Sequence, residues 1–138
     1  MHQKDLTIKK TFTIASQNHQ KNNFKVAKNL YKKILKINPN HFESIFYLGV
    51  LLLVTNNFNG AKQLFQKAIQ IQPNYAPAHN NLGIIFNALE EVQGAIDSYQ
   101  KAIQIQPNYA HAHNNLGMVF RELGEFEKAI SSYQMAIK

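Results

Sequence analysis

Residues 105–117 read IQPNYAHAHNNLG, and residues 71–83 read IQPNYAPAHNNLG: two copies of one phrase that differ only by Pro77 against His111. A third, more diverged copy, INPNHFESIFYLG at 37–49, keeps the isoleucine, proline, asparagine, leucine and glycine at the same interval upstream. A fixed period of about 34 residues marks a chain built from one supersecondary unit repeated, each copy too small to bury its apolar face alone.

The contents of the period identify that unit. After each of Pro39, Pro73 and Pro107 comes a stretch such as AHNNLGIIFNALEE, in which His79, Leu82, Gly83 and Phe86 fall on one helical face. A polar break follows, TNN at 55–57, EE at 90–91 or GE at 124–125. A second periodic stretch then places Ala95, Tyr99, Ala102 and Ile103 together, and the next proline ends it, because the residue before a proline is pushed out of the helical region. Each period is therefore expected to hold two helices, of about four and about three turns, joined by a short turn. Strand-type alternation and hairpin turn dipeptides linking such runs are absent, so the fold class is all-α.

Small residues recur at fixed places. Gly49, Gly83 and Gly117 lie inside the first helix of their periods, where glycine costs about 1 kcal/mol relative to alanine, so close approach of a neighbour is the reason for them. Ala61, Ala95 and Ala129 hold matching places in the second helix, while Leu48, Leu82 and Leu116 with Phe65, Tyr99 and Tyr133 supply bulk. Each such buried large side chain contributes roughly 1.5–3 kcal/mol.

This order, Leu-Gly, an aromatic three further on, then alanine, aromatic, alanine and proline at set steps, resembles the tetratricopeptide repeat, and the period agrees with that family as well. The chain reads as a single domain, 1–138, with repeats at 8–41, 42–75, 76–109 and 110–138. Repeat 1 departs from the pattern with Ala15, Asn18 and Ile34, and the family's tryptophan is replaced by Ile45, His79 and His113. The resemblance implies a right-handed superhelix, an α-solenoid whose first helices line a concave groove that binds a peptide or partner protein. Helix geometry assigns that face Phe46, Tyr47, Val50, Leu53 and Val54 in repeat 2, with Phe12, Ser16 and His19 in repeat 1. Repeat 3 supplies Asn80, Asn81, Ile84 and Asn87, and repeat 4 supplies Asn114, Asn115, Met118 and Arg121. An asparagine amide both donates and accepts, so a row of them can pair with the backbone of an extended peptide. Asn81 and Asn115 stand where O-linked N-acetylglucosamine transferases, by resemblance, carry an asparagine ladder.

Charge is unevenly spread. Residues 1–41 hold nine lysines against Asp5, whereas residues 42–138 hold six basic and seven acidic residues. Lys25, Lys28, Lys32 and Lys36 form one stripe on a helix, opposite Val26, Ala27, Leu30, Ile34 and Leu35. The stripe reads either as a solvated outer face or as a patch for an anionic partner, nucleic acid or an acidic membrane surface.

Several chemistries are not expected. With no cysteine there is neither a disulfide framework nor a thiolate site. His111 and His113 are two apart and diverge on a helix, so no metal site, cofactor or catalytic residue is assigned and the chain is not read as an enzyme. The longest apolar run, IFYLGVLLLV at 45–54, is too short for a spanning helix, and the N-terminus lacks a signal-peptide run, which suggests a cytoplasmic protein. Two functions follow: a peptide- or protein-binding module, or the substrate-docking N-terminal part of a larger glycosyltransferase or sulfotransferase. The chain stops inside the second helix of repeat 4 without a polar capping helix, which makes a homodimer through that end a further expectation.

Overall fold

The computed structural model describes residues 2–138, and among these it contains eight helices and no strand. They are α1 His2–Gln20, α2 Phe24–Ile37, α3 Phe42–Val54, α4 Phe58–Ile71, α5 Ala76–Ala88, α6 Val92–Ile105, α7 Ala110–Glu122 and α8 Phe126–Ile137. The chain divides into two compact halves, the first ending at Ile71 and the second spanning Gln72–Lys138. In the first half α1 pairs with α2 and α3 with α4, and α2 packs on α3; in the second, α5 pairs with α6, α7 with α8, and α6 packs on α7.

Helix lengths differ from the expectation. The first helices α3, α5 and α7 have 13 residues and the second helices α4 and α6 have 14, so the two members of a pair are nearly equal. The second helix persists to the residue two before the proline, with Gln106 already extended at φ −132° and ψ 89°. The first helix of repeat 1 is longer than the others, since α1 runs 19 residues from His2.

The turn within each pair is one motif used four times. Asn22, Asn56, Glu90 and Gly124 hold the same place in successive repeats and adopt left-handed backbone with φ of 63°, 63°, 63° and 78°. The residue after each, Asn23, Asn57, Glu91 or Glu125, donates its N–H to the carbonyl five residues back at 2.8 Å. Its own carbonyl then accepts from Ala27, Ala61, Ala95 or Ala129, the first bond of the next helix. One residue thus closes the first helix in a Schellman motif and opens the second, which is why the turn is so short. At Asn57 the side chain adds a cap, its Oδ1 accepting from the Gly60 N–H at 3.2 Å.

The alanines that open the second helices are buried, and so is the aromatic four residues later in repeats 1 to 3, Tyr31, Phe65 and Tyr99, while Tyr133 is half-buried. Those rings explain the glycines of the first helices. A Cβ placed on Gly49 would lie 3.0 Å from the Phe65 ring, on Gly83 2.5 Å from the Tyr99 ring and on Gly117 2.8 Å from the Tyr133 ring. The neighbour that needs the room is thus an aromatic face, and the alanine of the second helix sits beside it. Ala15 and Ile34 are fully buried, so repeat 1 builds a helix pair with its own substitutions. Val26, expected on the apolar face of α2, is instead 49% exposed, because it lies on the flank that no neighbour covers.

Turns between repeats are clamped through the proline carbonyl. His79 Nε2 donates to the Pro73 carbonyl and His113 Nε2 to the Pro107 carbonyl, both at 2.8 Å. Ile45 holds the equivalent place in repeat 2 and has no donor; there Lys67 Nζ takes the Pro39 carbonyl at 2.7 Å. The histidines in the family's tryptophan position are therefore buried clamps.

Glu90 is the test of the turn. A left-handed residue with a Cβ costs about 1–2 kcal/mol, less for asparagine and nothing for glycine. Glu90→Gly is expected to raise stability by about 1 kcal/mol in urea unfolding, whereas a loss would show that the turn carries no strain there.

Candidate partner-binding faces

In the first half, four rings gather where α1 faces α3. Phe12 lies 6.0 Å from both Tyr31 and Tyr47 between ring centroids, and His19 lies 6.0 Å from Tyr31 and 6.5 Å from Tyr47. With Ser16, Gln20 and Val50 they line an open hollow of about 280 Å³. Of the residues assigned to this face from sequence, Phe12, Ser16, His19, Tyr47 and Val50 are brought together here. Tyr31 and Gln20 were not; Tyr31 belongs to the core stripe of α2, and only tertiary packing turns the hydroxyl end of its ring to the hollow.

His19 Nδ1 and the Tyr31 hydroxyl are 3.1 Å apart. Burial lowers the His19 pKa below 6.5, and the pair is joined by one hydrogen bond between the ring nitrogen and the hydroxyl. Burial, with a smaller contribution from Tyr47, pushes the Tyr31 hydroxyl up to about 12.

Phe46 does not join the hollow. It is 6% exposed and set between Phe42, stacked at 6.2 Å, and Tyr47 and Phe65, edge-on at 5.2 and 5.6 Å, so it is core. Leu53 is half-buried and Val54 exposed near the end of α3.

In the second half, α5 and α7 carry the asparagines. Asn80 is buried, and its Oδ1 accepts from Asn115 Nδ2 at 3.1 Å, so two of the expected rungs bond to each other. Asn81, Ile84 and Asn87 are half-buried, while Asn114, Met118 and Arg121 are exposed. Asn80 holds the repeat position of Phe46, and both are covered, whereas Asn114 at the same position of repeat 4 is open, as are Met118 and Arg121. Asn115 itself is half-buried.

Elsewhere, Lys25, Lys32 and Lys36 are exposed and Lys28 half-buried on α2. His111 is exposed beside the Tyr109 ring, whereas His113 is turned inward to its carbonyl. No three histidine or carboxylate side chains converge among the described residues. Among them, too, no helix is long and apolar enough to cross a membrane.

Comparison with known proteins agrees with this geometry. Tetratricopeptide repeat profiles match residues 19–83 and 74–138. A crystal structure of a MamA protein superposes with a TM-score of 0.86 at 33% identity, over 95% of this chain and 72% of that one. YrrB, described as a tetratricopeptide repeat protein with an unusual peptide-binding site, superposes at 0.78 with 21% identity, over 91% of this chain and 65% of its own. An O-GlcNAc transferase of Thermobaculum terrenum superposes at 0.79 with 26% identity, over 85% of this chain but 22% of its own. No protein of curated function matches by sequence.

The chain belongs to the tetratricopeptide repeat family, and its fold is that of the family's helical repeats. This fold is typical of protein–protein interaction and is generally a non-catalytic module.

Two consequences are measurable. Asn115→Ala strands the buried Asn80 carbonyl oxygen and is expected to cost about 1–3 kcal/mol in stability, while Asn114→Ala, on the surface, changes it by less than about 0.5 kcal/mol. Because the folded pKa of His19 is below 6.5, the unfolded state binds more protons as pH falls from 6.5 towards the folded value. His19 therefore contributes stability above pH 6.5 that is lost progressively below it, and the drop in Tm between neutral pH and pH 5 should be smaller in His19→Gln, which does not titrate.

Proposed function

We propose that this chain is a non-catalytic interaction module that holds an extended segment of a partner protein on the open faces of its first helices. The observation that supports this best is the ring-lined hollow between α1 and α3: Phe12, His19 and Tyr47 are held in tilted and edge-to-face contacts around the buried Tyr31 and keep one side open to solvent. Aromatic rings fixed in this way lose little freedom on binding and are the residue types that anchor interfaces. Beside Asn81, Asn114 and Asn115, which offer amide donors and acceptors for a peptide backbone, Met118 adds an adaptable apolar contact. A cytoplasmic setting agrees with a cysteine-free chain.

A second reading is the docking part of a larger glycosyltransferase. It draws support from the likeness to the T. terrenum O-GlcNAc transferase, of which the matched region is 22%.

Selection of a random peptide display library on the chain tests the first reading. Enriched peptides are expected to lose roughly tenfold or more in affinity on Tyr47→Ala or on Asn81→Ala, while His111→Ala leaves them unchanged. Failure to enrich any sequence above an unrelated helical protein would sink it.

A further inference from the structure

The solvent face of α2 is made of Lys25, Lys28, Lys32, Lys33 and Lys36 with Asn29 and Val26 between them. The opposite face, Ala27, Tyr31 and Ile34, is buried, so the lysine side chains are held on one side over about 16 Å of helix. None of the nine lysines of residues 1–41 is paired with a carboxylate among the described residues, and Asp5 is the only acid in that stretch. Lys4 of α1 comes alongside, lining a hollow with Lys36 and Ile37.

Two physical points separate this face from an ordinary solvated one. Lys28, Lys32 and Lys36 are spaced i, i+4, an arrangement in which like charges destabilise the helix, and no acid offsets it. The fold, moreover, does not require lysine there. The repeat positions of Lys25, Lys32 and Lys36 are held by Asn59, Gln66 and Gln70 on α4 and by Gln93, Gln100 and Gln104 on α6, all exposed. At these three places repeat 1 therefore carries charge where α4 and α6 do with neutral amides, while Lys33 recurs as Lys67 and Lys101 and Lys28 as Lys62.

We infer that the lysine face of α2 docks the protein on an anionic phospholipid surface. The charges lie on one side of a helix with neighbours closer than the Debye length of about 8 Å, so their potentials add, and each lysine gains from proximity to acidic headgroups. The composition favours lipid over nucleic acid. Residues 1–41 contain no arginine, the residue suited to bidentate phosphate and base contacts. No aromatic ring stands between the lysines for base stacking, and Phe24, at the start of α2, is half-buried edge-on to the His19 ring. What the face does present among its lysines is Val26, 49% exposed, an aliphatic side chain able to enter the headgroup layer. This surface is separate from the ring-lined hollow, so lipid docking and partner binding stand or fall independently.

The test is co-sedimentation of the whole chain with vesicles of phosphatidylcholine containing about one third phosphatidylserine, beside pure phosphatidylcholine vesicles. A fluorescent DNA duplex and a single-stranded RNA oligonucleotide serve as competing probes. Binding is expected to the phosphatidylserine vesicles alone, with loss at high salt. Lys25→Gln, Lys32→Gln and Lys36→Gln together, which give α2 the residues α6 already carries, should weaken it about a hundredfold with helicity unchanged by circular dichroism. The corresponding triple arginine variant should retain it. No binding to phosphatidylserine vesicles at low salt, or equal binding by the glutamine variant, overturns the inference. Tighter binding to either nucleic acid, lost in the same variant, overturns the lipid assignment in favour of nucleic acid.

Discussion

The contact on which the structure rests is a glycine in one helix meeting an aromatic ring in the next: Gly49 with Phe65, Gly83 with Tyr99, Gly117 with Tyr133. With 2.5–3.0 Å between a hypothetical Cβ and the ring, an alanine at any of these three places would force the ring to shift. Glycine weakens its own helix by about 1 kcal/mol, and burying the ring more than offsets that. Because the ring follows the glycine at the same distance along the chain in every case, the turn between them must be short and must be the same each time.

The turns meet that demand by different chemistry at equivalent positions. Left-handed backbone recurs at Asn22, Asn56, Glu90 and Gly124, and three of the four are not glycine, so the backbone geometry is imposed by the packing on either side. The carbonyls of Pro39, Pro73 and Pro107 repeat the lesson in part: two are taken by histidines of the following helix, and the first by Lys67, supplied from the far end of the next pair. A backbone acceptor has to be satisfied, and the identity of its donor is secondary.

Packing also decides which side chains are left for partners. On the repeat position shared by Phe46, Asn80 and Asn114, the first is sealed among rings, the second is buried and bonded to Asn115, and the third is open. The helical period alone makes these three equivalent. What distinguishes them is whether a neighbouring helix contributes a ring or an amide at the same level. The histidines follow the same logic: His79 and His113 turn inward to a carbonyl, while His19 meets Tyr31 at the margin of the hollow.

The sequence by itself determined the all-α class, the repeat and its period, the helix pairs to within a few residues, the buried stripes and the lysine face, because each is written in local periodicity and spacing. The longer α1, the nearly equal helices within a pair and the exposure of Val26 were not legible, since they depend on where neighbours end. Only tertiary structure decided that the glycines face rings, that Asn80 and Asn115 bond to each other and that Tyr31 joins Phe12, His19 and Tyr47 around one hollow. Those outcomes turn on distances between side chains from separate helices, and a period along one chain carries no information about the depth to which two helices sink into each other.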